Sequence, residues 1–216
     1  MQAAKERLGQ LLALAAERRW SPLARELSDL VLYWPADWPD AMRTPVEALF
    51  ETALREADDE TQSVLAGRMA GRADVPLKLM NALYLAASAP QRREILMRNE
   101  LEGEMPAAAV VDGAIVLNAA RNRHGDFTGT LARLCGIPRR LVTTILQDAG
   151  GEPLAVLCRG LCLDRAVFSA LALLRGPQGL PLCVFDTVAP KAAALLVADW
   201  RKAAADSKPE HFAAAE

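Results

Sequence analysis

The stretch 131–146, LARLCGIPRRLVTTIL, lies without gaps on 157–172, LCRGLCLDRAVFSALA, at an offset of 26 residues. Leu131/Leu157, Arg133/Arg159 and Arg139/Arg165 are identical, and Ile137/Leu163, Leu141/Val167, Thr143/Ser169 and Ile145/Leu171 keep their character. A shorter third copy, VPLKLMNALY at 75–84, sits on IPRRLVTTIL, with Val75 and Pro76 on Ile137 and Pro138. Each copy reads as a helix pair that cannot hide its apolar side alone and stacks on a neighbour. The spacing therefore predicts an all-α fold of stacked antiparallel helix pairs, a helical repeat of about ten or eleven helices with no substantial sheet.

Composition points the same way. Alanine and leucine contribute 41 and 33 of the 216 residues, against 13 valines and 4 isoleucines. Ala and Leu lead the helix scale, whereas strands draw on β-branched and aromatic residues. With 52% hydrophobic and 24% charged residues the chain is globular in type and long enough to bury a core. A formal charge of −2 gives no overall basic field for a polyanion, so nucleic acid is disfavoured as a partner. Arginine outnumbers lysine 20 to 5, which taken alone assigns no function.

Local signals place the helices. Leu8, Leu11, Leu12 and Ala15 make one stripe and Leu23, Leu27, Leu30, Val31 and Trp34 the next, the second opened by Ser21 as N-cap and Pro22. Thr44, Pro45 and Glu47 form a capping box for a third helix, and Asp59 is expected to cap a fourth through Met69. Ser88 and Gln91 repeat the box. Further helices are predicted at 76–86, 106–120, 127–135, 138–147, 153–162, 164–174 and 190–204, with 176–187 irregular. The organisation expected is one helical domain over 1–204, with a sub-division near 100–106, and a flexible tail over 205–216.

The longest apolar run, Ala192 to Ala198, is far below the roughly 20 residues a bilayer demands, so no membrane partner is expected. The N-terminus reads as an amphipathic helix rather than a signal peptide, because Gln10 breaks the apolar part and Glu17, Arg18 and Arg19 follow it. Four cysteines without an export signal suggest reduced thiols and a cytoplasmic location.

Three stretches carry a family resemblance: LAGRMAGRADVPLKLMNALY at 65–84, LARLCGIPRRLVTTILQDAGGEPLAVLCRGLCLDRAVFSALALL at 131–174, and LLVADWR at 195–201. With them the chain, from about Ser21 to Trp200, resembles the bacterial family called domain of unknown function 2336. The section 89–121 departs from the pattern. The resemblance implies an all-helical, HEAT-like array with no assigned activity, and it brings no catalytic residues.

Few residues suggest chemistry. His124 and Asp126 flank Gly125 between helices; an acid–base role is conceivable, but a turn followed by a capping Asp126 is the simpler reading. Cys158 and Cys162, four apart, would share a helix face, yet a structural zinc wants four ligands and no CxxC pair exists. The acidic groups Asp58, Asp59, Glu60, Glu102 and Glu104 read as helix-end solvation. Neither GxxxxGK[ST] nor GxGxxG occurs, so neither phosphate-cradling loop is present. No cofactor and no metal site is expected.

Recognition is better represented. Tyr33, Trp34 and Trp38 fall in a connection broken by Pro35 and Pro39, and large rigid rings suit a binding hot spot, Trp38 above all. Arg133, Arg139, Arg140, Arg159 and Arg165 could form a basic ridge across equivalent repeat positions. The function expected is a non-catalytic protein-interaction or regulatory module with an unidentified protein partner. A homodimer is a further option, since an exposed array end must be capped or paired. The alternative is an enzyme or nucleic-acid-binding protein on the same scaffold, for example one that processes DNA bases.

Overall fold

The computed structural model describes residues 2–107, 109–122 and 124–206, so the end of the expected tail lies outside the described residues. Thirteen α-helices and two short 3-10 turns are present among them, with no strand. The fold is all-α. The chain divides into two compact units, Met1–Ile95 and Leu96–Glu216, where one domain with a break near 100–106 is expected.

The first unit holds α1 (Gln2–Ala16), α2 (Trp20–Leu32), a 3-10 turn (Asp40–Met42), α3 (Arg43–Glu56), α4 (Asp59–Met69), and α5 (Leu77–Leu83) with a 3-10 turn (Tyr84–Ala86). The division between units falls within α6 (Ala89–Glu102). Helix α2 packs chiefly on α3, α2 also meets α4, and α3 meets α5. Such contacts between elements two apart are compatible with stacked pairs. The α2 stripe is buried at Leu23, Leu27, Leu30 and Val31. Among the described side chains of α1 only Leu11 is buried and Leu12 faces solvent, because α1 rests on α2 from one side.

Helix starts show where tertiary partners override local signals. Ser21 does not cap α2, which begins one residue earlier. Its hydroxyl instead donates to Asp58 Oδ2 at 2.5 Å and accepts the Asp58 N–H at 3.0 Å. Asp58, rather than Asp59, caps α4 by accepting the Thr61 N–H at 2.7 Å. The Ser21 hydroxyl, then the backbone of Thr61, holds the Asp58 carboxyl down to about 2 from its ordinary 3.8. Thr44 does not cap α3 either. The 3-10 turn runs straight into that helix, with the Arg43 N–H donating to Asp40 O, and Glu47 reaches Arg43 and Lys78 at 3.4 Å each. Gln91 does supply its half of a capping box, accepting the Ser88 N–H at 2.8 Å.

The second unit holds α7 (Gly113–Arg121), α8 (Phe127–Cys135), α9 (Arg139–Gln147), α10 (Glu152–Gly160), α11 (Arg165–Arg175), α12 (Val184–Thr187) and α13 (Pro190–Asp206). The helix expected over 106–120 forms only from Gly113, with Asp112 accepting the Ala114 N–H at 2.8 Å. Just upstream, the Val111 N–H donates to Leu161 O at 3.3 Å, which holds that backbone out of a helix. The irregular stretch expected at 176–187 contains the single turn α12.

Helix α10 is the centre of this unit. Pro153 through Cys158 are six consecutive buried residues, and Gly160 is buried too. Its neighbours are α9, α11, α12 and above all α13. A Cβ at Gly160 would stand 2.6 Å from Ala193 O and 2.6 Å from Val197 Cγ2, so the two backbones approach as closely as only glycine permits. Helices α7 and α11 run side by side in one direction: a Gly113 Cβ would meet Val167 Cγ2 at 2.8 Å, and Arg175 Nε donates to Ala120 O at 2.8 Å.

The two aligned segments carry one turn. Gly136 ends α8 with φ 68° and Cys162 follows α10 with φ 57°, 26 positions later. The next residue closes the same bond in each: Ile137 N–H to Ala132 O at 3.1 Å, and Leu163 N–H to Cys158 O at 2.9 Å. This is the bond that joins C″ to C3 when a helix ends in a left-handed residue. Leu131/Leu157, Cys135/Leu161, Ile137/Leu163, Val142/Phe168 and Ile145/Leu171 are buried pairwise. The helix starts differ: Pro138 offers α9 no side-chain cap, whereas Asp164 accepts the Val167 N–H at 2.8 Å.

Four stability predictions follow from these close approaches and turns, each read by urea titration. Gly160→Ala destabilises by about 1–3 kcal/mol, because overpacking against α13 outweighs the gain in helix propensity. Gly67→Ala, whose Cβ would meet only Gln91 Nε2 at 3.6 Å, stabilises by about 0.5 kcal/mol. At the paired turns Gly136→Ala costs about 1–2 kcal/mol, while Cys162→Gly gains about 0.5 kcal/mol by relieving a left-handed side chain.

Candidate functional site: an aromatic and arginine corner

Helix α2 stops because Pro35 cannot continue it. Tyr33, its last hydrogen-bonded residue, donates its N–H to Asp29 O at 2.9 Å and leaves its ring in solvent, 66% exposed. The Trp38 N–H then donates to Pro35 O at 3.1 Å, and this turn folds the Trp38 ring inward, where it is 6% exposed. Trp34 lies between, half-buried and edge-on to Trp38, with ring centroids 5.6 Å apart at 83°. Trp38 is thus a prop behind Trp34. The ring presented outward is Tyr33.

Two arginines complete the corner. Arg43, at the start of α3, places its guanidinium 5.9 Å from the Trp34 ring. Arg72, in the α4–α5 connection, stands 5.9 Å from the Tyr33 ring. A left-handed Gly71 at φ 80° and a Val75 N–H donated to Arg72 O shape that connection. Arg72 forks onto Asp74 through Nε at 3.0 Å and Nη2 at 2.7 Å, and this pair draws the Asp74 carboxyl below the usual carboxylate range. The Nε1–H of Trp34 is buried and meets no acceptor among the described residues. Orphan donors of that kind cost about 1–3 kcal/mol. The corner therefore combines a solvated ring, cation faces and an unmet donor. Sequence reading missed Arg43 and Arg72; the only trace was the Gly71-Arg72-Ala73-Asp74 turn between two helices.

The expected basic ridge of the second unit is largely committed to its own fold. Arg139 donates to Asp126 Oδ2 at 2.8 Å, and Arg165 pairs with Asp186 at 3.0 Å. Arg159 is half-buried, donates to Phe185 O at 3.1 Å and lies 4.5 Å over that ring. Arg133 and Arg140 are exposed at the end of α8 and the start of α9.

Catalytic readings find little support in the geometry. Asp126 uses Oδ1 to cap α8 through the Gly129 N–H at 3.0 Å and Oδ2 to hold Arg139, so both of its oxygens are engaged in the fold, and His124 is exposed. Cys158 and Cys162 do not share a helix face, because α10 ends before the left-handed Cys162. Burial pushes the Cys135 thiol up to about 12 and raises Cys158 as well, so both sit as neutral packing groups. Among the described residues no three His, Cys, Asp or Glu side chains are grouped to hold a metal. An open cleft of about 330 Å³ between α1 and α2 includes Leu11 and Leu14, with Arg7 and Arg19 set 4.0 Å from Glu26 and 3.8 Å from Glu17. No helix among the described residues is long and apolar enough to cross a membrane.

Comparison with known proteins bears on the second unit. No curated protein and no solved structure matches the chain. The segment from α7 to α11, which contains the duplicated turn, matches a family model, a narrower span than the one from Ser21 to Trp200 over which resemblance is read. Residues 107–181 match the domain of unknown function 2336, an uncharacterised protein family conserved in bacteria.

Proposed function

We propose that the chain is a non-catalytic docking module that engages a protein partner through Tyr33, Trp34, Arg43 and Arg72. The observation that carries this reading is the outward Tyr33 ring set beside a Trp34 donor with no acceptor. A shift of the Trp34 ring on docking would bring its buried Nε1–H to a partner backbone carbonyl or carboxylate, while Tyr33 loses its contact with water. Aromatic rings lose little rotamer freedom when they dock, and arginine forks suit planar acceptors. Four unpaired cysteines suit a reducing compartment such as the cytoplasm.

The test is affinity capture from a native bacterial lysate, identification of the captured protein, and titration of the purified pair. Tyr33→Ser weakens binding about tenfold or more, an ordinary loss for a hot-spot ring. Trp34→Phe keeps the ring, removes the donor, and weakens binding about fivefold. Both variants keep the thermal midpoint of the parent within about 2 °C, since neither removes a fully buried side chain. Unchanged affinity in both variants would overturn the assignment of this corner. A turnover activity, or an oligonucleotide shift at low salt without a protein partner, would favour the enzyme or nucleic-acid alternative.

A further inference from the structure

Helix α1 ends in a complete left-handed cap, away from the aromatic corner. The Arg18 N–H donates to Ala15 O at 3.0 Å and the Arg19 N–H to Leu14 O at 2.9 Å. The residue that turns left-handed there is Arg18, with φ 54°. Glycine is the usual occupant of that position, because a Cβ crowds the following carbonyl. After α8 the chain makes the left-handed turn with Gly136, so Arg18 is a strained version of a bend made elsewhere without strain. Pro22, in the first turn of α2, prevents α1 and α2 from running together as one helix. The bend at Arg18 is therefore built into the sequence.

What holds α1 against this bend is slight. Helix α2 is the main element it meets, and Leu11 is the one buried side chain among those described on α1. Leu8 and Leu14 are half-buried, and Leu12 is 54% exposed. Across the seam Arg7 stands 4.0 Å from Glu26, with both side chains well solvated, a geometry that contributes little. The second pair, Glu17 with Arg19, joins two residues of the connection itself. The seam is not filled, since the open cleft of about 330 Å³ lies along it beside Leu11 and Leu14. On its other sides α2 is tied firmly. Leu23, Leu27 and Leu30 are buried, Arg25 donates to Thr61 Oγ1 at 2.9 Å, and Arg68 donates to Ser28 and Asp29 at 3.2 and 2.6 Å. Pieces with few buried contacts open at lower free energy than the core they rest on.

We infer that α1 is a hinged latch, which swings about Arg18 as one piece while α2 to α5 stay folded, and so sets access to the cleft beneath it. Opening relaxes the Arg18 backbone and gives up the Leu11 seat on α2; closing does the reverse.

Native-state hydrogen exchange on the full chain, read by NMR or mass spectrometry, tests the latch. Amides from Gln10 to Ala16 should exchange as one group, at least about a hundredfold faster than those of Leu27 to Val31, and with little dependence on urea. Arg18→Gly, which removes the crowding in the closed turn, slows the whole group about fivefold. Fraying from the chain start would give a gradient of rates along α1 that Arg18→Gly leaves unchanged, and that result overturns the inference. Arg18→Pro cannot take a φ of 54°, so it holds the latch open: α1 amides lose their protection while Leu27 to Val31 keep theirs. Loss of protection in α2 together with α1, or exchange of α1 only through global unfolding, also overturns it.

Discussion

The close approach of α10 to α13 at Gly160 is the constraint on which the second unit depends. A helix surrounded by others has no solvated side, so its sequence becomes apolar throughout and its backbone must come near its neighbours. Pro153 to Cys158 obey the first requirement and Gly160 the second. Each large apolar side chain buried there is worth about 1.5–3 kcal/mol. The peripheral helices α8 and α9 contribute one apolar stripe each and keep charged or polar outer faces, whereas α7 leaves Ala114 and Ile115 exposed. The segment that matches the bacterial family therefore centres on packing, and the match carries no chemical motif with it.

Arginine supplies the polar counterpart of that packing. Three guanidiniums each lie on an aromatic ring and donate to backbone carbonyls: Arg92 on Tyr84 with Tyr84 O and Leu85 O, Arg159 on Phe185 with Phe185 O, and Arg175 on Phe127 with Ala120 O and Asn122 O. Two of them meet carbonyls where helices end, the places that otherwise lack donors. A planar fork can stack and donate at once, which an ammonium cannot. This use gives the excess of arginine over lysine a structural meaning, and of the expected basic ridge it takes Arg159. Arg43 and Arg72 differ in that the rings beside them, Trp34 and Tyr33, reach solvent.

Legibility in the sequence followed the range of the interaction. The helix at 127–135 was readable to the residue, because Asp126 caps it and Gly136 ends it locally. In the aligned segments 131–146 and 157–172 burial and a left-handed turn recur at the alignment offset, which is compatible with the repeat reading. Two of the failures involved partners distant in the chain. Ser21 looks like a cap until Asp58 takes its hydroxyl, and 106–112 looks helical until Leu161 takes the Val111 N–H. The aromatic connection was visible from Tyr33 to Trp38, but not which ring faces out. That is decided by the Pro35 turn, and the arginines that complete the corner come from two other elements.

The central claim is that α10 is a core helix held only by the elements around it. Native-state hydrogen exchange followed by mass spectrometry or NMR tests it most directly, because exchange reports the free energy of each opening. Amides of Leu154 to Gly160 should be the slowest of the second unit and should open only with its global unfolding, showing the full denaturant dependence of that transition. Exchange of these amides through a local opening, at rates like those of the outer helices α8 and α9, would contradict the account.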